Sequence, residues 1–436
     1  MISGFGKKIP RFRRWALALL CGWRLSQLAL AQDILTAPPA TPATPVAVQE
    51  NQAANPMQVF APATAGPSTM PLQYGPATAH PHLDYQFLYG NGIESSPGHS
   101  QNSVVQSVSP GVLFNVGDHW TLDYTPSLTY YSSRSFQDTL NQSVRLGWGT
   151  AYGGDWFFSG SQSYADSSNP QVETAAQTGQ ETYATAFSAS YQFNDEMSLD
   201  LGWNQSFNDY VGGTGVTNSL PLADSRAWST MDWLSYQFWP RFSVGLGAGF
   251  GYDQQDGSPD SINEQYQGRV NWRATDKISF QLSGGLQEQQ YLSGGESPLG
   301  SPVFGATIQY QPFETTAFSL SANRTVSQSS FLDQVTENTG VTADLNQRLL
   351  GLLHLDVSGG YQTTRYVASL FGLSTSRADD LYSFNARLTC PLLRRATVAV
   401  FYTYSDNASS QSGFAAVGST YAFSSRQLGI EINYQY

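Results

Sequence analysis

Cysteine, histidine, charge and long apolar runs are all scarce in this chain. Of its 436 residues two are Cys, five are His and 12% are charged. The cysteines are Cys21 and Cys390, and an N-terminal leader ending at Ala31 would remove the first. No intrachain disulfide is then possible, and no Cys/His spacing suits a metal. The histidines (His80, His82, His99, His119, His354) have no serine-centred elbow and no third partner at suggestive spacing. Only His354 lies well inside a strand-like run, with Asp356 two residues on along the same face, and a hydrogen-bonding histidine accounts for it. No catalytic residue, cofactor or metal is expected, and the chain is not expected to be an enzyme. Beyond the leader no run reaches ~18 consecutive apolar residues, which excludes a membrane-spanning helix.

Basic charge is short as well. Of the 21 Lys+Arg, Lys7, Lys8, Arg11, Arg13, Arg14 and Arg24 all precede residue 32, where there is no acid. The remainder stands near −18, which argues against nucleic acid as a partner. The basic run, the apolar stretch Trp15–Trp23 and Ala29-Leu30-Ala31 form the order of a secretory signal peptide over 1–31. The apolar core is well below the ~20 residues of a spanning helix. Cys21 is no lipoprotein site, because Leu20 stands where a small residue is needed. Residues 32–82 are rich in Pro, Ala, Thr and Gln, from Pro38 to Pro81, and read as a disordered periplasmic tether.

What is present from residue 83 onward is alternation. Trp120, Leu122, Tyr124, Pro126, Leu128 and Tyr130 alternate with polar residues; so do Phe242 to Tyr252 and Tyr382 to Leu392. Period two held over about a dozen residues exceeds the usual soluble strand and suits a tilted membrane strand. Short turns near Gly117, Gly153, Asn194, Pro240, Thr275, Pro312, Leu350 and Arg394 alternate with longer polar loops. The expected fold is all-β: a transmembrane antiparallel up-and-down barrel over 83–436 with about eighteen strands, sixteen being the runner-up. Strand starts fall near 84, 103, 119, 137, 155, 180, 197, 225, 241, 263, 277, 302, 315, 337, 352, 379, 396 and 425. The stretch 413–424 could hold a further strand. A propeller would need four short strands per repeat, where this chain offers two long ones.

In lipid the apolar face must point outward and the polar face inward. The inner set is mostly Ser, Thr, Gln, Asn and Gly. Its expected charges are Arg145, Arg269, Arg273, Lys277, Arg348 and Arg387 against Asp123, Asp200, Asp344, Asp356 and Glu431, with His354 beside them. These form no ring of one sign, so strong ion selectivity is not expected. They serve either as a constriction with opposed charges or as ordinary salt bridges between strands. Asp232 and Arg324 fall on the lipid face, which suggests a misregister or bulge at Asp232 and a snorkelling Arg324. Trp and Tyr gather toward strand ends, as in interfacial girdles. Tyr131, Phe157, Trp233 and Phe401 have the inner parity but form no sequential track for sugars. The acidic loop run 253–264 lacks the ligand spacing of a calcium loop.

The last strand, Gln427–Tyr436, places Leu428, Ile430, Ile432, Tyr434 and Tyr436 on one face. An aromatic closing such a strand resembles the insertion signal of outer-membrane barrels. Together with Asp84–Tyr89, Ser109-Pro110-Gly111-Val112 and Leu122–Tyr131, it makes the chain resemble the β-barrel porin type 2 family over 84–436. The resemblance is one of pattern and rhythm. It implies an outer-membrane protein of a Gram-negative-type bacterium, and some members accompany exopolysaccharide export. The expected function is a passive channel for small polar solutes. The alternatives are a component of exopolysaccharide export and a non-conducting structural or adhesion barrel. Expected partners are outer-membrane lipid and lipopolysaccharide, the barrel-assembly machinery, and small polar solutes or polysaccharide.

Overall fold

A long strand with one apolar and one polar face leaves unpaired backbone along its edges unless the sheet closes on itself. That is what this chain does. The computed structural model describes residues 72–96, 99–134, 136–171, 176–211, 223–292, 298–329, 334–368, 376–412 and 422–436. The expected signal peptide, the tether before residue 72 and the stretch 413–421 lie outside the described residues.

A short strand, β1 (Leu72–Tyr74), precedes β2 (Ala77–Ser96), β3 (His99–Val116), β4 (Trp120–Tyr131), β5 (Thr139–Tyr152), β6 (Trp156–Gln171) and β7 (Ala176–Gln192). Then come β8 (Met197–Val211), β9 (Ser225–Trp239), β10 (Phe242–Gln255), β11 (Ser261–Trp272), β12 (Ile278–Tyr291) and β13 (Leu299–Phe313). The last six are β14 (Thr316–Gln328), β15 (Gln334–Leu349), β16 (Leu353–Ala368), β17 (Ser376–Leu393), β18 (Ala396–Ser412) and β19 (Phe423–Gln435). Each pairs antiparallel with the next, and β19 pairs back onto β2 from Arg426↔Asn91 to Gln435↔His82. The fold is a closed, antiparallel, up-and-down barrel of eighteen strands, with β1 as an addition. Among the described residues there is no helix.

The sheet starts ahead of the boundary expected at residue 83. The chain folds back at Gly75, where φ is +60°, so that Leu72–Tyr74 pairs with Ala77–Ala79. The prolines that suggest disorder still offer carbonyls: Pro76 accepts from the Gly117 N–H at 2.8 Å and Pro81 from the Tyr436 N–H at 2.9 Å. Connections at one end are tight. Gly153 and Gly154 both take positive φ (66° and 85°), as do Leu350 and Gly351 (51° and 73°).

Register and long-range contacts identify the inner face. Asp200 on β8 and Arg269 on β11 are three ladder steps apart, about 14 Å along the wall. Their side chains nevertheless meet at 2.5 Å, which only the concave face allows. Outward parity carries Leu246 (71% exposed), Leu286 (66%) and Tyr266 (61%). The strands run past the girdle residues and carry Asp166, Asp209, Glu264, Glu337, Asp380 and Asp406.

Asp232 needs no misregister. The β9–β10 ladder passes through Asp232↔Ala248 without interruption, and the residue faces outward. The irregularity is on its other side, where the β8–β9 ladder has no rung between Asp200↔Trp233 and Trp203↔Thr230. There the Gly202 N–H donates to Asp232 Oδ1 at 3.3 Å. The carboxylate satisfies a backbone donor that the ladder leaves over. Arg324 also faces outward and is ion-paired to Glu337 at 3.0 Å.

Candidate functional site

The inner wall is polar because the strands alternate, and small because so many inner positions are Ser, Thr or Gly. Register places Asp123, Arg145, Asp200, Arg269, Asp344, Arg348, His354, Asp356, Arg387 and Glu431 on the inner face. Arg273 and Lys277 lie instead in the β11–β12 turn. The Lys277 ammonium donates to the Pro312 carbonyl at 2.7 Å, and the Arg348 guanidinium folds onto the Gly351 carbonyl at 2.9 Å. Both cations are thus held at the short-turn end.

Two of the expected inner cations are neutralised. Arg269 donates to Asp200 at 2.5 Å and to Ser235 at 2.7 Å, and its guanidinium lies 4.6 Å from the centre of the Trp233 ring. That ring rests against Gly247, where a Cβ would come within 2.7 Å of it. Arg387 holds Glu431 with two hydrogen bonds, and Asn433 donates to the same carboxylate at 2.7 Å. Further inner charges escape a sequence reading. Arg377 and Asp379 form a buried ion pair near the start of β17. Asp84 is turned inward opposite Asn433. Asp253 accepts from Asn263 at 2.8 Å. The signal for Asp84 was available: counting back in twos from Leu88, opposite Gly429, gives its parity.

The inner face is graded along the axis. At the short-turn end Thr121, Phe157, Asn271, Gln281, Gln309 and His354 are exposed. At the other end Thr178, Ser261, Gln289, Ser301, Asn338 and Gln427 are buried. Part of the cover is the β14–β15 hairpin. The β13–β14 ladder stops at Phe304↔Arg324, although β13 continues to Leu299 and β14 to Gln328. Pro302, two residues past the last rung, has no N–H to extend it, and its carbonyl accepts from Arg324 Nε at 3.1 Å. Beyond that point inward-facing Ser301 donates to outward-facing Glu337 at 2.8 Å. The outer face of β15 therefore lies against the inner face of β13. Ser329 completes the turn inward: its carbonyl accepts from Gln255 on β10 at 3.0 Å.

A second segment folds in from the opposite side. Phe136, in the β4–β5 connection, is buried with Leu88, Val105 and Phe401, and its ring centre is 5.4 Å from that of Tyr131. Gln137 and Gln177 exchange backbone–side-chain hydrogen bonds at 2.9 Å, tying the connection to β7. Cα atoms of β2 also come within 8 Å of β6, four ladder steps away. Tyr131 and Phe401 are thus packed under this insertion, and Phe157 stands exposed at the other end.

No family model and no curated protein matches the chain. Among solved structures it is similar to OccAB2 of Acinetobacter baumannii, at 9% identity and TM-score 0.46, covering 82% of this chain and 98% of that one. OpdQ of Pseudomonas aeruginosa is similar at 11% identity and TM-score 0.41, with coverages of 83% and 97%. The siderophore receptor PirA of Acinetobacter baumannii follows at 8% identity and TM-score 0.39, with coverages of 82% and 80%. These likenesses concern strand arrangement alone. The porin-family resemblance rests on the residues quoted for it above.

Proposed function

We propose that this protein is an outer-membrane channel that lets small polar solutes diffuse across, after export directed by residues 1–31. The observation that carries this reading is the closed barrel with an exposed apolar outer face and a hydrophilic inner one. Water would have to solvate that outer belt if the protein were soluble, whereas a bilayer core covers it. Leu428, Ile430, Ile432 and Tyr434 join the belt, and Tyr436 lies at its short-turn edge under the Arg395 guanidinium, 4.2 Å from the ring centre. These residues serve as the insertion signal read by the barrel-assembly machinery.

Asp123, Arg145, Asp200, Arg269, Asp344, Asp356, Arg387 and Glu431 line the path, and the β14–β15 hairpin narrows it. Planar-bilayer recording of the purified, folded protein tests the reading. Stepwise currents smaller than an unobstructed barrel of this strand number would carry are expected. Folded protein without any stepwise current would sink the channel and leave a structural barrel.

A further inference from the structure

The charges expected on the inner wall look balanced until Asp84 and Asp253 are added to it and Arg273 and Lys277 are placed in the β11–β12 turn. Arg269 is committed to Asp200 and Arg387 to Glu431. Lys277 and Arg348 are held on turn carbonyls. A neutral carbonyl leaves a cation its charge, so setting aside the two ion pairs leaves Arg145 and Arg348 as inner cations among the residues named for the wall, with Lys277 at the turn. Against them stand Asp84, Asp123, Asp344 and Asp356, with Asp253 nearer the other end of β10.

Among the described residues none of those four carboxylates has an Arg or Lys within 4.0 Å, although Asp123 lies opposite Arg145 and Asp356 opposite Arg387 across the ladders. Asp123 has only His82 at 4.0 Å and the Thr125 hydroxyl at 3.2 Å, and Asp344 accepts from Ser319 at 3.1 Å. They stand on β2, β4, β15 and β16, on both sides of the β19–β2 closure. They share one arc of the wall with the Arg387–Glu431 pair at its centre. The strands β12 to β14, which continue the wall beyond β15, present mostly Ser, Gln, Thr, Asn and Gly inward, with no inward charge among the described residues.

Resting on the channel reading, we propose that the pore prefers cationic solutes, with Asp84, Asp123, Asp344 and Asp356 setting the preference. Paired charges produce short-range dipolar fields. Unpaired charges of one sign in a low-dielectric wall give a potential that reaches the solute and raises the local counter-ion concentration. The effect comes from the summed field, so no single carboxylate is a binding site. It weakens as salt shortens the Debye length, ~10 Å at 0.1 M.

The test is the reversal potential of the full chain in planar bilayers across a potassium chloride gradient. A cation-over-anion permeability ratio several-fold above one is expected at low salt, falling toward one as salt rises. The variant Asp344→Asn/Asp356→Asn should lower the ratio, and Asp84→Asn/Asp123→Asn should do so independently. Glu264→Gln/Glu288→Gln removes the same charge from the outer face and should leave the ratio unchanged. A conducting barrel with equal or anion-favouring permeability overturns this inference while sparing the channel. So does a ratio that all three variants lower alike. Folded protein with no current overturns both.

Discussion

Arg387 and Glu431 meet across an intervening strand. The guanidinium on β17 reaches over Ala399 of β18, which is fully buried, and binds the β19 carboxylate at 2.6 and 2.9 Å. Because β19 also pairs with β2, this contact braces the last strands beside the point where the barrel closes. Both side chains are close to 10% exposed, so neither charge has water to fall back on. Glu431→Ala should therefore cost about 3 kcal/mol, the low end for a broken buried pair, because Asp356 opposite Arg387 leaves one carboxylate near the cation. Replacing both partners by Met should recover most of the loss. Thermal unfolding in detergent, followed by loss of the β-sheet signal, checks both variants.

The β15–β16 turn carries a conformational fault of the opposite kind. Leu350 has φ of +51° and is 90% exposed, so no packing compensates for the left-handed backbone. For a non-glycine residue that conformation costs about 1–2 kcal/mol. Leu350→Gly should recover about 1 kcal/mol of it, less the entropy glycine adds to the unfolded chain. Leu350→Ala keeps the strain and should change little. The same unfolding measurement separates the two, and equal midpoints would remove strain as the explanation.

Most of the fold is legible in the sequence because period two survives nearly everywhere. Trp120 to Tyr130 and Leu428 to Tyr434 show their outward parity without any coordinates. Asp232 was legible too: its lipid-side parity was correct, and what was hidden was the missing rung at Gly202 that gives the carboxylate a partner. The interior was harder. Parity tells which face Arg269 and Arg387 occupy but not that Asp200, three strands away, and Glu431, two strands away, absorb their charge. The inward hairpin depends on Ser329 meeting Gln255, a contact no local pattern encodes. Pro302 was the one local signal for it, since a proline inside a strand marks an edge.

Opening that hairpin should widen the path. Glu337 is its anchor, taking Arg324 at 3.0 Å and Ser301 at 2.8 Å. Glu337→Ala removes both contacts while leaving the β15–β16 ladder intact, because that ladder is backbone bonded from Gln334↔Ala368 onward. Single-channel conductance should rise relative to the parent protein, with more open-state noise. Unchanged conductance would mean that packing of Val303 and Val335, both 3% exposed, holds the hairpin without its ion pair.

Gly429 and Phe401 provide the sharpest test of how the inner wall is packed. The Phe401 ring, 1% exposed, covers Gly429 on the neighbouring strand, where any Cβ would overlap the Cζ end of the ring. Glycine costs a strand some stability, and an aromatic laid over it restores the contact surface. Gly429→Ala should therefore destabilise by about 1–3 kcal/mol through overpacking. Phe401→Ala should cost about 3–5 kcal/mol, because Leu88, Val105 and Phe136 lose their common neighbour. The two changes act on one contact, so the double variant should cost clearly less than the sum of the singles. Strict additivity in a double-mutant cycle would show that the ring does not depend on the bare backbone beneath it. In that case Gly429 would have to be explained by β19 alone, and the close approach of ring to strand would lose its energetic meaning.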